Sequence, residues 1–384
     1  MIPYGKQEIT QDDIDSVIEV LKSDFITQGP AVIQFEKTIS DYCGVNHAVA
    51  VNSATSALHI ACLALELGSG DWLWTSPNTF VASANCGLYC GAQVDFVDID
   101  PRTYNMSVDA LQHKLERAAL DGKLPKVVIP VHFAGQSCDM KSIAVLADKY
   151  GFKVIEDASH AIGGRYLDRP IGNCQYSDVT VFSFHPVKII TTGEGGVATC
   201  NDSLLAEKMN RLRSHGVTRD AEYMVSESEG PWYYQQIELG LNYRMTDIQA
   251  ALGSSQMQRL DKYISARHKL CNQYERLLKD LPVVLPWQSA DSYSALHLYP
   301  VQIEESANKD RKQVFEQLRK SGIGVNVHYI PVHTQPYYQD MGFEKSDYPN
   351  AMEYYKKAIS LPMFSALTDE QQLKVVDEIK KALL

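Results

Sequence analysis

The chain has 384 residues, of which 45% are hydrophobic and 22% charged, and its formal net charge is −11 at pH 7. This composition is typical of a folded globular protein, and the length predicts two or three packed domains. The acidic balance disfavours a nucleic-acid partner, because proteins that coat nucleic acid cluster Lys and Arg against phosphates. No apolar run approaches the ~20 residues of a membrane span, so we expect a cytoplasmic protein with no membrane partner.

Eight cysteines are scattered through apolar segments without the paired spacing of a zinc site. Cys86 and Cys90 are four residues apart on a predicted helix, a spacing for which a metal site is the alternative. We expect reduced, mostly buried thiols and no metal.

Helical and β-rich segments alternate through the first half of the chain. After an N-terminal arm, residues 1–13, apolar residues at helical spacing follow a capping-box-like start at Thr10 and Asp13. Six β-rich runs come next, at 73–76, 94–99, 126–131, 153–157, 179–184 and 196–200. This alternation predicts a large α/β domain, residues 14–250, built on a mostly parallel sheet.

The second part of the chain predicts a smaller α+β domain, residues 251–384. A helical pattern over 247–279 is the expected connector, and a turn-rich segment follows it. Segments 296–303 and 324–330 are β-rich, and helices are expected around 308–321 and 368–383.

Two charged residues occupy positions that suit chemistry. Asp157 ends an apolar run, where open α/β sheets present ligand-binding groups, although a helix cap is the alternative. Lys188 lies in SFHPVKIITTGEGG with apolar neighbours on both sides. Desolvation there lowers a lysine's pKa and frees its amine for Schiff-base chemistry; a lysine at a sheet edge with its amine in solvent is the alternative.

Two other segments have features of a ligand site. NSATSAL leads into a helix near Thr55, whose first N–H groups suit a phosphate, although simple capping by Ser53 or Thr55 is the alternative. Phe80 precedes another helix and either stacks on a flat heterocycle or fills the core. A dinucleotide-binding fold is disfavoured, because GEGG at 193–196 comes late and precedes a strand.

Five ordered blocks together resemble the DegT/StrS family of sugar aminotransferases: NSATSAL, TFVAS, EDASHAIGG, SDVTVFSFHPVKIITTGEGG and LGLNYRMTDIQAALG. The likeness extends from PYGKQEIT to SLP at 360–362. It implies the fold of fold-type I pyridoxal-phosphate (PLP) enzymes, which is that of aspartate aminotransferase. This fold has a seven-stranded, mostly parallel sheet in the large domain. The resemblance also implies a homodimer with shared active sites.

The resemblance implies a role for each matching residue. Lys188 would carry pyridoxal 5'-phosphate as a Schiff base, Asp157 would pair with the pyridine nitrogen, and His160 would hydrogen-bond near the ring hydroxyl. Phe80 would stack on the ring. The cofactor's phosphate would be held by Ala54, Thr55, Ser183 and, from the partner subunit, Asn242.

The lysine at 188 implies amino transfer, because the dehydratase branch of the family has His there. A non-catalytic or regulatory member of the fold would not need Asp157, Lys188 and Phe80 together. SDFITQGP, RSHG and VHYIPVH are most similar to the branch that acts in pseudaminic acid biosynthesis. That branch aminates C4 of a UDP-linked 4-keto-6-deoxy-N-acetylhexosamine, with L-glutamate as donor by family habit. A dTDP- or GDP-linked sugar, or a C3 ketone, is the alternative. The sugar-nucleotide pocket would be lined by Tyr4, Asp24, Phe25, Ile26, Thr27, His185, His328, Tyr329, Ile330 and Pro331.

Overall fold

The computed structural model describes residues 1–384, which form thirteen α-helices and fifteen strands. The helices are α1 (Gln11–Lys22), α2 (Pro30–Cys43), α3 (Ala54–Ala64), α4 (Ala82–Tyr89), α5 (Val108–Asp121), α6 (Met140–Tyr150), α7 (Ser203–Leu212), α8 (Asp247–Met257), α9 (Leu260–Leu278), α10 (Arg311–Lys320), α11 (Pro336–Gln339), α12 (Pro349–Lys357) and α13 (Asp369–Leu383). The strands are β1 (His47–Val51), β2 (Trp72–Thr75), β3 (Gln93–Phe96), β4 (Val127–Ile129), β5 (Lys153–Asp157), β6 (Arg165–Tyr166), β7 (Arg169–Pro170), β8 (Val179–Ser183), β9 (Gly196–Cys200), β10 (Val217–Thr218), β11 (Gln235–Gln236), β12 (Val283–Val284), β13 (Ser292–Tyr293), β14 (Tyr299–Ile303) and β15 (Ala358–Leu361).

A seven-stranded sheet forms the centre of the larger part of the molecule. Its strand order is β1-β9-β8-β5-β4-β2-β3, and neighbours are parallel except where β9 pairs with β1 and with β8. The predicted α/β class and the mostly parallel seven-stranded sheet are confirmed. None of the thirteen helices combines the length and apolarity needed to span a membrane.

Helices cover both faces of this sheet, as its continuously apolar strands require. Every residue of β8 and β9 is buried, the pattern of a sheet without a solvent-facing side. Val181 belongs to the apolar cluster that contains α3, whereas the next residue, Phe182, packs in the cluster that contains α2. Alternate side chains of one strand therefore anchor helices on opposite faces.

A three-stranded antiparallel sheet, β12-β14-β15, organises the C-terminal part. Its apolar cluster includes side chains of α9, α10 and α13, so the last two predicted helices are confirmed. Ile2 of the N-terminal arm joins the same cluster. The Ile2 N–H donates to the Gly322 carbonyl at 2.8 Å and the Ile2 carbonyl accepts from the Gly324 N–H at 2.6 Å, which ties the arm to this part of the chain.

Two predicted elements are wrong. The single helix over 247–279 is two helices, α8 and α9, because Arg259 leaves helical geometry at φ −113° and ψ 3°. The predicted domain boundary at residue 250 falls inside α8. Residues 324–330 form no strand, since only an isolated bridge joins Asn326 to Ser360 of β15. Strand β1, which completes one edge of the large sheet, was not among the predicted runs.

The apolar face of α1 is not covered by the rest of the chain. The predicted capping box at its start is present, but the helix buries only Asp13. Its large apolar side chains, and those just after it, are each 38% exposed or more: Ile14, Ile18, Leu21, Phe25 and Ile26.

The buried carboxylate of Asp13 joins α1 to the middle of the chain. It accepts hydrogen bonds from the Thr10 N–H at 2.9 Å, the Ser255 hydroxyl at 2.6 Å and the Gln256 amide at 2.8 Å. The Arg259 guanidinium also donates to it at 2.6 Å. The break between α8 and α9 thus places a cation against the carboxylate of the first helix.

Asp13→Asn keeps the shape of this side chain and removes its charge. We expect the free energy of unfolding to fall by about 2 kcal/mol, because the Arg259 guanidinium loses its counter-ion in a largely desolvated position. Urea denaturation measures the change. The control is Asp12→Asn at the exposed neighbour, which should stay within about 0.5 kcal/mol. Equal stability of the two variants would contradict the assigned role.

Candidate active site

A cavity of about 940 Å³ lies beside the carboxyl ends of β5 and β8. Asp157 and Ser183 are the last residues of these strands, and both line the cavity. The N-terminal end of α3 forms another part of the wall, and residues 326–329 of the C-terminal part close it further. This is the edge at which open α/β sheets bind ligands.

Asp157 is held by a short chain of hydroxyl groups. The Ser83 hydroxyl donates to Oδ2 at 2.6 Å, and the Ser159 N–H donates to Oδ1 at 3.1 Å. Because Ser83 gives its only proton to the carboxylate, the Thr79 hydroxyl, 2.8 Å away, is the donor to Ser83. The carboxylate is 5% exposed. It does not cap a helix, and its unused acceptor positions suit a cation in the cavity.

Lys188 lies in the same cavity, and its amine has no hydrogen-bond partner within the chain. Burial lowers the pKa of Lys188 to about 8, and the Asp157 carboxylate partly opposes this change. An amine of this pKa has a much larger neutral fraction near physiological pH than an ordinary lysine, and the neutral amine is the form that attacks a carbonyl carbon.

The start of α3 has the features of a phosphate site. The Ser53 side chain caps the helix by accepting from the Ser56 N–H at 3.1 Å, so the capping alternative is also correct. The N–H groups of Ala54 and Thr55 have no acceptor within the chain and lie at the positive end of the helix. A Cβ on Gly196 would lie 2.5 Å from the Ala54 nitrogen, so only glycine lets β9 approach this turn.

Phe80 and Ser183 complete the group that the resemblance assigns to the cofactor. Phe80 lines the cavity and is 60% exposed, so its ring does not fill the core and is open to a flat ligand. The Ser183 hydroxyl lines the cavity without a hydrogen-bond partner in the chain. Backbone N–H groups for an anion, a carboxylate for a cationic nitrogen and a desolvated lysine together fit pyridoxal phosphate.

His160 also lines the cavity, but both of its ring nitrogens have partners. Nδ1 accepts from the Ala134 N–H at 3.3 Å, and Nε2 lies 2.9 Å from the Tyr329 hydroxyl oxygen. Burial, followed by the charges of Lys188 and His328, holds the pKa of His160 well below its usual value. The imidazole is therefore neutral.

The structure brings only part of the predicted sugar pocket to this cavity. Its lining includes Tyr4, His185, His328 and Tyr329. The next two residues of the 328–331 loop are elsewhere, with Ile330 exposed and Pro331 buried away from the cavity. Asn242 and the Asp24–Thr27 segment, in which the side chains of Phe25 and Ile26 are exposed, are also outside the cavity within one chain.

Several cavity residues were not predicted from the sequence. They include Thr79, Ser83, Glu194, Gln249, His297 and Asn326. The first two lie beside Phe80 in the TFVAS block, where a helix cap or core serine looks the same as a ligand of a carboxylate. No local pattern indicates His297, which is buried with its ring 4.5 Å from that of His160.

Residues 7–380 match the model of the DegT/DnrJ/EryC1/StrS aminotransferase family. The chain belongs to this family. The predicted pyridoxal-phosphate-dependent sugar aminotransferase is therefore confirmed.

Curated relatives match the chain over nearly its whole length. The spore coat polysaccharide biosynthesis protein SpsC of Bacillus subtilis is 40% identical over 99% of this chain and 96% of its own. The UDP-4-amino-4,6-dideoxy-N-acetyl-beta-L-altrosamine transaminase of Campylobacter jejuni is 36% identical over 100% and 96%. The GDP-perosamine synthase of Caulobacter vibrioides is also 36% identical, over 100% and 98%.

Solved structures of family members share the fold. The PMP form of the sugar aminotransferase Spr1654 from Streptococcus pneumoniae superimposes with a TM-score of 0.91 at 29% identity, covering 100% of this chain and 99% of that one. Helicobacter pylori PseC, an aminotransferase of pseudaminic acid biosynthesis, superimposes with a TM-score of 0.90 at 31% identity and the same coverage.

The pKa of Lys188 predicts how the cofactor-free protein reacts with pyridoxal phosphate. The rate should rise with pH around a midpoint near 8 instead of the ordinary ~10.4, because only the neutral amine attacks. Asp157→Asn should move the midpoint to lower pH, since it removes a charge that raises the pKa of Lys188. Stopped-flow absorbance measures both midpoints. Lys188→Ala is the unreactive control, and a midpoint that moves upward in Asp157→Asn would refute the electrostatic account.

Proposed function

We propose that the protein transfers an amino group from L-glutamate to C4 of a UDP-linked 4-keto-6-deoxy-N-acetylhexosamine, in pseudaminic acid biosynthesis. The observation that carries this proposal is the end-to-end similarity to the Campylobacter altrosamine transaminase and to Helicobacter PseC. The cavity supports it, because about 940 Å³ is near the upper end of the range for small-molecule sites and has room for more than a cofactor.

Each residue that would bind the cofactor has a separate task. The Ala54 and Thr55 N–H groups would hold the phosphate at the positive end of α3, helped by the Ser183 hydroxyl. Asp157, oriented by Ser83, keeps a positive charge on the pyridine nitrogen. Pyridoxal phosphate, when bound, supplies an aldehyde that condenses with amines and a cationic ring that withdraws electrons from the neighbouring carbon.

Lys188 moves the proton in both half-reactions. Its amine would take the proton from the α-carbon of the amino donor and hold it for the return transfer that completes the half-reaction. The same amine reverses this transfer when the keto sugar takes the place of the 2-oxo acid.

The sugar nucleotide would bind above the cofactor, where Tyr4, His185 and His328 line the wall. The Tyr4 and His328 ring centroids are 5.4 Å apart, and a hydrogen bond of 2.8 Å between His328 Nδ1 and the Ser360 hydroxyl oxygen fixes the imidazole. These side chains combine flat surfaces with hydrogen-bonding groups, a combination that suits a sugar.

A GDP-linked 4-keto sugar is the second candidate substrate. It is favoured by a specific observation: the GDP-perosamine synthase of Caulobacter is as similar to this chain, at 36% identity, as the altrosamine transaminase is. The two candidates differ in nucleotide and sugar and not in the chemistry at Lys188.

We further propose that the enzyme acts in the cytoplasm as a homodimer that shares its active sites. Two features support the dimer. The side chains along and after α1 form an apolar surface that nothing in one chain covers. Asn242 and the Asp24–Thr27 segment are outside the cavity of their own chain, so a second subunit would have to bring them to a site. Ile330 and Pro331 would then support the loop without contacting the sugar.

A panel of nucleotide keto sugars tests the substrate. With L-glutamate present, we expect 2-oxoglutarate release with the UDP-linked 4-keto-6-deoxy-N-acetylhexosamine at a kcat/KM at least about tenfold above that for GDP-, dTDP- and C3-keto sugars. Coupled oxidation of a nicotinamide cofactor by glutamate dehydrogenase measures release. Lys188→Ala should give none with any sugar. A preference for the GDP-linked sugar would select the second candidate, and a response to a C3 ketone alone would refute C4 amination.

Complementation tests the shared site. Lys188→Ala and Asn242→Ala should each be inactive or strongly impaired as homodimers. After the two are unfolded and refolded together, one site of each mixed dimer has both native residues, so activity should return to about a quarter of the native value. No recovery would mean that Asn242 serves its own chain or none, and size-exclusion chromatography of the mixture shows whether mixed dimers have formed.

A further inference from the structure

His160 has no nitrogen free for a ligand. The resemblance assigns it to the ring hydroxyl of the cofactor, but Nδ1 and Nε2 already contact the Ala134 N–H and the Tyr329 hydroxyl. A direct contact with the cofactor would require one of these hydrogen bonds to break inside a buried site, where unpaired polar groups are costly.

The backbone determines which nitrogen of His160 carries the proton. The Ala134 N–H can only donate, so Nδ1 must accept and cannot itself be protonated. Because the ring is neutral, its one hydrogen is on Nε2. Nε2–H therefore donates to the Tyr329 oxygen, 2.9 Å away. The rings of the two residues are nearly parallel, at 18°, with centroids 6.0 Å apart.

This assignment leaves the hydroxyl hydrogen of Tyr329 without an acceptor in the chain. The residue lines the cavity, so the hydrogen is available to whatever the cavity holds. Burial, with the Asp157 charge added to it, raises the pKa of Tyr329 and keeps the hydroxyl protonated. The backbone of the loop is fixed on both sides of it, since the Tyr329 N–H donates to Asn78 Oδ1 at 3.2 Å and the Tyr354 hydroxyl donates to the His328 carbonyl at 3.0 Å.

We propose that the Tyr329 hydroxyl, and not His160, donates the hydrogen bond to the phenolic oxygen of the bound cofactor, and that His160 is a positioning residue for Tyr329. This oxygen is on the ring carbon beside the aldehyde that would react with Lys188, whereas Asp157 would pair with the ring nitrogen. The inference rests on the cofactor site alone and does not depend on which sugar is the substrate.

The hydrogen bond has a spectroscopic consequence. A donor to the phenolic oxygen stabilises its deprotonated form and so lowers the proton affinity of the conjugated group formed with Lys188. The visible absorbance of the bound cofactor changes when that group titrates. Its midpoint therefore reports whether the donor is present, without any turnover.

The test is a pH titration of the absorbance of the holoenzyme, with no amino donor and no sugar. Tyr329→Phe keeps the ring that packs beside His160 and removes only the hydroxyl. We expect the midpoint to rise by about one pH unit, a tenfold change in proton affinity. Tyr338→Phe is the matched control, because its buried hydroxyl donates to Asn85 outside the cavity, and its midpoint should be that of the native enzyme.

A double-mutant cycle separates positioning from direct contact. His160→Leu should raise the midpoint in the native background but change it by less than about 0.3 unit in the Tyr329→Phe background. His160→Gln, whose amide nitrogen reaches as far as Nε2 and can donate to Tyr329, should restore most of the native midpoint. This second variant keeps the test valid if His160→Leu does not fold, which thermal unfolding reveals.

Two results would overturn the inference. One is an unchanged midpoint in Tyr329→Phe; if His160→Leu shifted the midpoint in that case, His160 would contact the ring itself. The other is a pair of shifts that add in the double variant. Failure of the sugar panel would leave these titrations unaffected, and a native protein without any visible band would refute the cofactor site instead of the role of Tyr329.

Discussion

The buried carboxylate of Asp157 is the constraint on which the site depends. A carboxylate that is 5% exposed needs several partners, and the chain provides only the Ser83 hydroxyl and the Ser159 N–H. The Asp157 carboxylate therefore still needs a positively charged partner. Lys188 is in the same cavity and its own desolvation lowers its pKa to about 8, so this chain alone balances the carboxylate only in part. A cofactor with a cationic nitrogen at one end and an aldehyde at the other satisfies both groups.

The sheet explains why these groups meet although they are far apart in sequence. Parallel strands β5 and β8 end at the same edge, which places Asp157 beside Ser183. The antiparallel strand β9 then returns along β8. Its first residue, Gly196, has no side chain and can therefore contact the turn before α3, which brings the start of α3 to the same edge of the sheet. The small domain adds the loop with Tyr329, which His160 of the large domain holds. Contacts from both domains therefore determine the shape of the cavity.

Local sequence patterns predicted the strands and helices whose own residues carry a clear apolar pattern. The runs 153–157 and 196–200 coincide with β5 and β9, because they are buried on both faces and leave an unbroken apolar signal. The helix over 247–279 was predicted wrongly because its break depends on a contact with a residue distant in the sequence. Its periodicity continues through Arg259, but the backbone turns there where the guanidinium meets the Asp13 carboxylate, 246 residues earlier in the chain. The apolar periodicity of α1 likewise predicted the helix correctly, without indicating that its apolar face stays uncovered in one chain.

The sequence by itself determined the family and the cofactor and predicted Lys188 as the reacting lysine, because all three depend on residue types in ordered motifs. It also identified Asp157 and the start of α3, where strand ends and helix starts have recognisable local signals. Only the tertiary structure decided that Ser83 orients the carboxylate, that Phe80 is open to the cavity, and that His160 is engaged by Ala134 and Tyr329. These facts depend on how segments distant in the sequence pack against one another and on which groups donate and accept the hydrogen bonds between them. A local sequence pattern contains no information about either.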